Sequence, residues 1–345
     1  MNYLLIIITY CVSVLFIYVF LKLADKIGFI DVPNERSSHK KIIPRSAGIA
    51  FVSAVLLSIL LVQSGHFYEY IYVYLSIMII FFIGIVDDKV DVSPRVKFLF
   101  LFFASLLLYL NDIYISSLGD YFGYSIYLPQ WLIFPLSFFA IAGFTNSLNL
   151  IDGLDGLAAS VSIVIFTTFL AIGLLHEDSL MITLSSTFIA ALLAFLLFNW
   201  NPAKVFMGDS GSLVLGLVVS ILSIKALAYT TPAAVLFIIA IPILDTFIVM
   251  TRRIQRGRSP FLADKNHLHH FLYRMKLDVK FTVTLLVSIQ IAFSILGFQL
   301  SEKNNLLSLL LFGVLFFIFL NLFDQRLKYR SKPRKSIRSD EIQKK

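Results

Sequence analysis

The sequence predicts an all-α polytopic membrane protein with about eleven transmembrane helices. Hydrophobic residues make up 58% of the 345 residues, charged residues only 14%, and the mean hydropathy is +0.86. A soluble domain is about 45–50% apolar and about 25% charged, so this chain has too few charges to cover a water-exposed surface. Crossing a hydrocarbon core about 30 Å thick takes about 20 helical residues, and apolar stretches of about that length recur along the chain.

The candidate transmembrane helices follow one another from the N-terminus almost to the C-terminus. They lie near residues 3–23, 46–63, 70–86, 96–110, 130–148, 156–175, 179–198, 210–227, 232–250, 281–298 and 306–323. The fourth stretch is short for a span, so its helix could extend at either end. The first stretch has neither a basic segment before it nor a small-residue cleavage site, which favours a membrane span over a cleavable signal peptide.

Basic residues are distributed very unevenly between the two sides of the predicted bundle. If the spans alternate in direction, one set of connecting segments holds 26 of the 29 Lys and Arg residues. The positive-inside rule then predicts that the N-terminus lies outside and the C-terminus in the cytoplasm. We predict one transmembrane domain, residues 1–323, followed by a basic cytoplasmic tail, residues 324–345, that is disordered and attracted to anionic lipid.

The third predicted span ends in an acidic motif, VDDKVD, which contains Asp87 and Asp88. Asp87 and Asp91 are four residues apart and share a helical face if the helix continues. Neighbouring carboxylates at a membrane boundary repel one another unless a cation or a bound partner compensates their charge. DDxxD sequences hold magnesium in prenyl-chain synthases, and a solvated loop end is the other interpretation, so this motif is ambiguous by itself.

A second polar series, NSLNLIDGLDGL, follows at the end of the fifth predicted span. Its amide and carboxylate side chains recur every third residue, and two glycines loosen the backbone between them. The series consists of Asn146, Asn149, Asp152 and Asp155. Helix capping and a turn would explain one aspartate and one glycine but not the whole series. Because unpaired polar residues are costly at a membrane boundary, the series indicates a functional site.

A third polar segment, NWNPAKVFMGDSGS, connects the seventh and eighth predicted spans. Asp209 and the serines that follow it could simply cap the next helix. Capping does not explain why Phe206 stands exposed beside a carboxylate that glycines flank. Glycines at this position would let a phosphate or a sugar approach the backbone closely.

The largest connecting segment on the basic side, residues 251–280, is rich in arginine and has three histidines within four residues. Its arginines, including Arg256 and Arg258, suit a phosphate ligand because the guanidinium group matches phosphate oxygens, but the positive-inside rule alone also explains them. The histidines are His267, His269 and His270. They could bind zinc, but no cysteine is nearby and the acidic motifs suit magnesium, so we favour hydrogen bonds to phosphate.

Together these segments resemble the polyprenyl-phosphate N-acetylhexosamine-1-phosphate transferases, which start lipid intermediates of peptidoglycan, O-antigen (lipopolysaccharide) and teichoic acid linkage units. The matching sequences, in the family's order over residues 31–270, are DVPNERSSHKKIIPRSAG, VDDKVD, NSLNLIDGLDGL, NPAKVFMGDSGSL and SPFLADKNHLHH. The HLHH sequence, its flank and the eleven-span count look like the branch that acts on simple UDP-N-acetylhexosamines. The sequence RSAG departs from the family's paired glycines, which affects only a local turn.

The resemblance implies roles for individual residues. Asp87 and Asp88 match the family's essential aspartate pair, and Phe206 falls where the uracil ring is stacked. The implied catalytic residues are Asp87, Asp88, Asp209, His269 and His270, the two histidines contacting the diphosphate. The implied substrate-binding residues are Asn146, Asp152, Asp155, Asn199, Phe206, Arg256, Arg258 and His267. The implied metal ligands are Asp209 and, as in some members of the family, Asn149.

The resemblance also implies a reaction, in which undecaprenyl phosphate attacks a UDP-N-acetylhexosamine, with UDP-GlcNAc as the expected donor, and UMP leaves. The expected cofactor is Mg²⁺, with Mn²⁺ as an alternative. The expected partners are the UDP-sugar, the lipid phosphate and membrane lipid, with no nucleic acid, and a homodimer is compatible with the sequence. We expect a bacterial inner membrane protein with its active site on the cytoplasmic face.

Two questions stay open at this point. Asp87 is either a general base or a positioner of the acceptor, because a lipid phosphate with a second pKa of about 6 is already mostly dianionic at pH 7. The alternative function is a multi-span transporter of an anionic solute. A transporter would carry its polar residues near mid-membrane in broken helices and show an inverted repeat, whereas these acids cluster at span ends and no repeat is visible in the sequence.

Overall fold

The structure, a computed structural model, describes residues 2–31, 42–259, 267–268, 271–272, 275, 277–301 and 304–330, with side chains up to residue 322. The helices are α1 (Tyr3–Ile27), α2 (Gly48–Val62), α3 (Ser64–Glu69), α4 (Ile71–Val90), α5 (Pro94–Leu110), α6 (Gln130–Ile151), α7 (Leu157–Leu175), α8 (Ser179–Asn199), α9 (Asp209–Ala226), α10 (Pro232–Ile238), α11 (Ala240–Gln255), α12 (Val279–Gln299) and α13 (Asn305–Arg330). The strands are β1 (Ile30–Asp31), β2 (Ile43–Pro44), β3 (Ser117–Tyr121) and β4 (Tyr124–Tyr127).

The predicted all-α polytopic membrane fold is confirmed. In the described part of the chain, eight helices are long and apolar enough to cross a membrane, or up to nine if α10 and α11 form one span. Helices α2 and α5 have 15 and 17 residues. At 1.5 Å per residue they are about 22 and about 26 Å long, less than a hydrocarbon core of about 30 Å. The count of eleven spans and the orientation of the bundle therefore stay predictions.

The predicted span 232–250 is not one continuous helix, because the chain bends by 92° between α10 and α11. Pro242 has no N–H to donate to the carbonyl four residues earlier, on Ile238. The side chain of Gln290 in α12 replaces this bond: its Nε2 donates to the Ile238 carbonyl at 2.7 Å, and its Oε1 accepts the N–H of Ile241 at 3.0 Å. Irregular backbone within a membrane is tolerated where buried protein groups satisfy it in this way.

Helix α9 lies at the centre of the bundle and is almost wholly buried. Two glycines allow the neighbouring helices to approach it closely. A Cβ on Gly216 of α9 would lie 2.5 Å from the Cα of Thr145 in α6, and a Cβ on Gly84 of α4 would lie 2.6 Å from the Cα of Ser210. Contacts this short leave no room for a side chain. The ends of α4 and α6 are thereby brought to the N-terminus of α9.

Backbone hydrogen bonds join the first connecting loop to the loop before α9. Strands β1 and β2 pair antiparallel, and the carbonyl of Pro44 accepts the N–H of Phe206 at 2.8 Å. The N–H of Ala47 donates back to the Phe206 carbonyl at 3.0 Å. These bonds hold Arg45 beside the N-terminus of α9. Strands of two residues are too short for a period-2 pattern to reveal, so the sequence does not predict them.

The segment 111–129 contains a second unpredicted element, the antiparallel hairpin β3–β4. Its turn residues Phe122 and Gly123 have φ values of 53° and 82°, the positive φ that a type I′ hairpin turn requires at both positions. The tip carries an aromatic side chain, Phe122, that is 81% exposed. The hairpin lies at the end of the bundle where α6 begins.

The last helix is longer than predicted. Helix α13 begins at Asn305 and continues to Arg330. The segment 324–345, predicted to be a disordered tail, therefore begins as helix. Residues 331–345 lie outside the described residues.

Candidate active site

The acidic motif at the end of α4 contacts the first residues of α9. Asp88 accepts the backbone N–H of Asp209 at 2.7 Å through Oδ1 and that of Ser210 at 3.1 Å through Oδ2. The first N–H groups of a helix have no partner within it and carry partial positive charge, so a carboxylate is a favourable cap. Gly208 makes room for it, because a Cβ there would lie 2.6 Å from Asp88 Oδ2. Asp88 thus holds the N-terminus of α9 with a wholly buried side chain.

Asp87 and Asp209 lie on either side of Lys97, in the first turn of α5. The Nζ of Lys97 is 2.5 Å from Asp87 Oδ2 and 2.8 Å from Asp209 Oδ2. The other oxygen of Asp87 accepts the N–H of Val92 at 2.7 Å, which fixes the carboxylate at the turn after α4. Carboxylates from two different helices therefore share one cationic group.

Helix α6 contributes Asn149, two residues before its end. Its Nδ2 donates to Asp209 Oδ1 at 3.1 Å and to Ser212 Oγ at 2.8 Å. Arg45 adds a second positive group, with Nε 3.4 Å from Asp88 Oδ1 and Nη2 3.9 Å from Asp209 Oδ1. Segments that are far apart in the sequence thus meet around Asp209. We call the group Asp87, Asp88, Lys97, Asn149 and Asp209 the acidic cluster.

The oxygens of the acidic cluster suit a hard divalent cation. Mg²⁺ usually takes one or two carboxylates and completes its shell with waters and substrate phosphates, and Asp87 and Asp209 offer two carboxylates to the position of Lys97 Nζ. Asn149 presents Nδ2 to Asp209, so it would offer oxygen to a metal only after rotation of its amide group. Among the described residues, no three His, Cys, Asp or Glu side chains form a ready-made metal site. Substrate oxygens would therefore have to complete the coordination.

Asp152 directly follows α6 and is partly buried. Burial raises the pKa of its carboxyl group to about 7, and the negative charge of Asp209 is the next cause. The positive charge of Arg45 acts on the pKa in the opposite direction. The carboxyl group of Asp152 therefore binds its proton more tightly than an ordinary aspartate does.

Asn199 and Asp155 bind backbone groups of the loops around the site. Asn199 is buried, its Oδ1 accepts the N–H of Gly156 at 2.9 Å, and its Nδ2 donates to the Val205 carbonyl at 2.8 Å. Asp155 Oδ2 accepts the N–H of Ala203 at 3.0 Å. Both residues brace the loops that surround the acidic cluster. Their predicted contact with the substrate stays a prediction.

Phe206 is partly exposed, while Val205 and Met207 on either side of it are buried. Because the backbone of this segment is fixed by its bonds to β2, the ring is held at the surface, and its stacking role stays a prediction. Asn146 is exposed one turn before Asn149 on α6. Within the described residues, no hydrogen bond joins Asn146 to the acidic cluster.

Only part of the histidine segment is described. His267 is buried, with Nδ1 2.9 Å from Asp245 Oδ2 of α11. Its predicted contact with substrate therefore has to come from another part of the ring. His269 and His270, predicted to be catalytic, lie outside the described residues.

Arg256 and Arg258 are exposed just after α11. Arg252, one turn before Arg256, is buried instead. The predicted phosphate contacts of the two exposed arginines stay predictions.

Three charged residues in these networks have no role in the sequence-based predictions: Lys97, Arg45 and Asp245. Lys97 enters there only as part of the basic-residue asymmetry, and Arg45 enters only there and within the matching sequence DVPNERSSHKKIIPRSAG. Yet Lys97 lies inside the predicted span 96–110, and Asp245 lies inside 232–250. An ionisable residue within a predicted span is itself a signal of a functional site, and this signal points to both.

Fold and site together define a polytopic membrane protein with an acidic centre at the ends of its helices. The family model of glycosyl transferase family 4 matches residues 70–227. This range includes Asp87, Asn149 and Asp209, the residues from three helices that meet in the acidic cluster.

Similar proteins cover most of the chain. A probable undecaprenyl-phosphate N-acetylglucosaminyl 1-phosphate transferase of Bacillus subtilis (strain 168) is 35% identical over 85% of this chain and 83% of the relative. The undecaprenyl-phosphate alpha-N-acetylglucosaminyl 1-phosphate transferases of Yersinia pestis and Escherichia coli (strain K12) are 29% and 32% identical, over 89% and 76% of this chain and 87% and 74% of those relatives. The chain therefore belongs to glycosyl transferase family 4, in its polyprenyl-phosphate N-acetylglucosamine-1-phosphate transferase branch, and the family resemblance is confirmed.

Proposed function

We propose that this protein transfers N-acetylglucosamine 1-phosphate from UDP-GlcNAc to undecaprenyl phosphate, releases UMP, and so starts a lipid-linked glycan of the cell envelope. Membership of the family supports a sugar-1-phosphate transferase acting on undecaprenyl phosphate. The names of the three relatives support N-acetylglucosamine as the sugar. The same membership favours a transferase over the transporter alternative.

The observation that carries the proposal is the position of Lys97 Nζ between the carboxylates of Asp87 and Asp209. Transfer of a phosphoryl group from a diphosphate depends on positive charge placed against the diphosphate oxygens. Two carboxylates that face one point can hold that charge as a divalent cation. The side chain of Lys97 is 24% exposed, so it can then turn towards a phosphate.

The cation that fits this donor set is Mg²⁺, which Asp209 and Asp87 would hold together with Asn149 after rotation of its amide group. When bound, Mg²⁺ would offset negative charge on the diphosphate and on the leaving UMP. Mn²⁺ accepts the same oxygen ligands and is an alternative. The positively charged side chains of Lys97 and Arg45 can bind phosphate oxygens. The guanidinium group of Arg45 can bind two phosphate oxygens at once.

In the reaction, an oxygen of the lipid phosphate attacks the phosphorus atom that carries the sugar. The bond from that phosphorus to the UMP oxygen breaks, and UMP leaves. Most of the lipid phosphate is already dianionic at pH 7, because its second pKa is about 6. Besides contributing to the cation site, Asp87 therefore either accepts a proton from the remaining monoanion or positions the acceptor.

The acidic cluster belongs at a membrane surface, because it lies at the ends of α4 and α6 and at the start of α9. A lipid phosphate lies at the same depth while its chain remains in the hydrocarbon core. We assign this surface to the cytoplasmic face of a bacterial inner membrane, because 26 of the 29 basic residues belong to that side of the predicted bundle. Assembly as a homodimer stays a prediction.

The test uses detergent-purified protein with UDP-GlcNAc, undecaprenyl phosphate and MgCl₂. We expect UMP and the lipid-linked sugar in equal amounts, and only when the lipid phosphate is present. Protein with Asp209→Ala, purified in the same way, controls for contaminating activity. UMP release without lipid phosphate, or no release with any of a panel of UDP-N-acetylhexosamines, would overturn the proposal. A preference for another UDP-sugar in the panel would change the assigned donor but leave the proposed type of reaction unchanged.

A further inference from the structure

Asp245 is a buried acid on α11 to which the reaction described above gives no role. Only 1% of the residue is exposed. Its Oδ2 lies 2.9 Å from Nδ1 of His267, and its Oδ1 accepts the backbone N–H of Leu268 at 2.6 Å. A charge buried this deeply is costly unless it is paired and hydrogen-bonded. Both oxygens of Asp245 are used on the start of the histidine segment.

His267 begins a helical turn, and Asp245 caps this turn from a neighbouring helix. The N–H of Phe271 donates to the His267 carbonyl at 3.0 Å, which is the bond between residues four apart that defines an α-helix. Leu268 and Phe271 are buried in the hydrophobic core. The N–H of Leu268 is among the first of the turn and has no acceptor within it, so the carboxylate of Asp245 supplies one.

The direction of α11 is itself fixed by hydrogen bonds. Asp245 lies shortly after the 92° bend, and Gln290 holds the backbone on both sides of that bend through Ile238 and Ile241. A continuous set of buried hydrogen bonds therefore connects α12, α11 and the turn that begins at His267. Such a connection can hold the turn in one place.

We propose that Asp245 is a positioning residue for the sugar-phosphate transfer, which fixes His267 with a proton on Nδ1 and holds the start of the histidine segment. This inference rests on the proposed function. An ionised carboxylate can only accept hydrogen bonds, so the ring nitrogen that faces it must donate. The hydrogen bond at Nδ1 thereby sets the protonation of the second nitrogen, Nε2. Asp245 acts through His267 and not on the substrate.

Two substitutions separate the two contacts of Asp245. Asp245→Asn keeps an oxygen for the N–H of Leu268 but places an amide N–H group opposite Nδ1 of His267. Asp245→Ala removes both contacts. Comparing the two variants shows how much of the effect comes from the histidine ring and how much from the cap.

Asp178 provides a matched control at the other end of the bundle. It also accepts a backbone N–H, from Met181 at 2.9 Å, and its other oxygen also binds side chains, Lys225 Nζ at 3.2 Å and the hydroxyl of Tyr229 at 2.9 Å. Asp178→Asn therefore makes the same kind of change, keeping an oxygen for the backbone N–H and replacing the other oxygen by an amide group, but at the start of α8, whereas the acidic cluster lies near the other end of that helix.

The first measurement is the kinetics of UMP release. Misplaced groups in an active site cost about tenfold to about 100-fold in rate, so Asp245→Asn should lower kcat by that factor. The KM for UDP-GlcNAc and the melting temperature should stay close to those of the wild type. Asp245→Ala should lose more activity, and Asp178→Asn should keep the wild-type kcat. If each of the three variants loses kcat only to the extent that it loses stability, as judged by its melting temperature, Asp245 is a structural residue. That result would overturn the inference.

The second measurement is independent of activity. The ¹⁵N NMR spectrum of histidine-labelled protein, with His267 assigned through His267→Gln, should show the proton on Nδ1 in the wild type and in Asp178→Asn but not in Asp245→Asn. A proton on Nε2 alone in the wild type would overturn the inference. A wild type that shows the Nδ1–H form but releases no UMP would sink the proposed function and leave the histidine geometry supported.

A double variant tests whether Asp245 acts through His267. Residues that act as one unit do not have additive effects, so Asp245→Asn combined with His267→Gln should lose no more kcat than the more damaging single substitution. Losses that multiply would show that the two side chains act separately. An unchanged kcat in Asp245→Asn, measured against an active wild type, would overturn the inference and leave the proposed function intact.

Discussion

Asp88 and Asp209 are joined by a hydrogen bond of 2.7 Å between the carboxylate of one and the backbone N–H of the other. Asp87, the neighbour of Asp88, turns instead to Lys97. Successive residues of an α-helix point about 100° apart, because a turn takes 3.6 residues. One aspartate of the pair can therefore face the backbone of α9 while the other faces the centre of the acidic cluster.

The two aspartates should differ in their effect on stability. Asp88→Asn turns an amide N–H group towards one of the two backbone N–H groups of α9, and a buried donor without an acceptor costs about 1–3 kcal/mol. Asp87→Asn keeps an oxygen for the N–H of Val92 and should leave the free energy of unfolding less affected, although both variants lose activity. Unfolding curves of the two variants in the same detergent measure the difference. Equal stabilities would contradict the capping role of Asp88.

Adding metal should partly restore the activity of Asp209→Asn but not that of Asp88→Asn. Asp209→Asn keeps the shape of the side chain and a neutral oxygen but loses the anionic ligand that Mg²⁺ prefers. We expect its activity to rise towards that of the wild type as MgCl₂ or MnCl₂ is increased. Asp88→Asn, whose side chain binds backbone, serves as the control and should not respond. Equal rescue of both variants would show that Asp209 is not the principal metal ligand.

The pH dependence of Asp87→Asn decides between the two roles of Asp87. The N–H of Val92 and the Nζ of Lys97 hold the carboxylate of Asp87 in one place, so we expect Asp87 to act by positioning groups. The ratio of wild-type to variant rates should then be flat from about pH 6 to about pH 9, on either side of the second phosphate pKa. A general base would be needed most where the lipid phosphate still holds a proton. A ratio that rises as the pH falls would therefore establish that role.

Phe206→Ala should weaken the binding of the donor. Stacking of a base on an aromatic side chain contributes about 1–3 kcal/mol, so the KM for UDP-GlcNAc should rise by about fivefold or more, with a smaller change in kcat. Phe139→Ala removes an exposed aromatic ring from α6 and is the control. A KM that stays the same in Phe206→Ala would remove this ring from the nucleoside site.

Asp152 should make the stability of the protein depend on pH. Its pKa is raised to about 7 in the folded protein, against about 3.9 for an unperturbed aspartate. Between these values the folded state binds more protons at this site than the unfolded state, so its contribution to stability falls as the pH rises through this window. The side chain of Asp152→Asn cannot ionise, so the variant does not lose stability in this way as the pH rises.

The measurement is the melting temperature of both proteins at about pH 5, inside the window between the two pKa values, and at about pH 8, above it. The melting temperature of Asp152→Asn minus that of the wild type should be larger at the higher pH. A difference that is constant with pH, or that shrinks as the pH rises, would mean that the carboxyl group of Asp152 is ionised across the whole range.

The positions of most spans can be predicted from the sequence because the length of an apolar stretch directly reflects the thickness of the membrane. The bend at Ile239 could not be predicted with the same ease. Pro242 marks it, but a proline can also be accommodated in a membrane helix. The backbone groups freed at the bend are satisfied by Gln290, a residue of another helix. The contact of Gln290 with the bend depends on tertiary packing.

The structure brings together several side chains that the sequence predicts to share one site, and it shows how each is oriented. Asp87, Asp88, Asn149 and Asp209 meet in the structure. That Asp88 faces backbone and Asp87 a lysine depends on how α4 is rotated against α9, which close packing at Gly84 determines. Composition and spacing carry no information on such a rotation. A broken helix, which the sequence analysis associated with transporters, also proves compatible with a transferase.

Trp131 and Asn149 lie near the two ends of the same helix, α6, and are 18 residues apart. At 1.5 Å per residue this separation is about 27 Å, close to the thickness of a hydrocarbon core of about 30 Å. Trp131 is 75% exposed and lies beside the aromatic hairpin, and such side chains settle at the level of the lipid headgroups. If the protein has the proposed function, an anchor in one leaflet would set the height of the acidic cluster in the other leaflet, at the level of the lipid phosphate. A bilayer a few ångströms thicker or thinner would then shift the lipid phosphate relative to the carboxylates of the acidic cluster. The rate of the reaction would therefore depend on the thickness of the membrane.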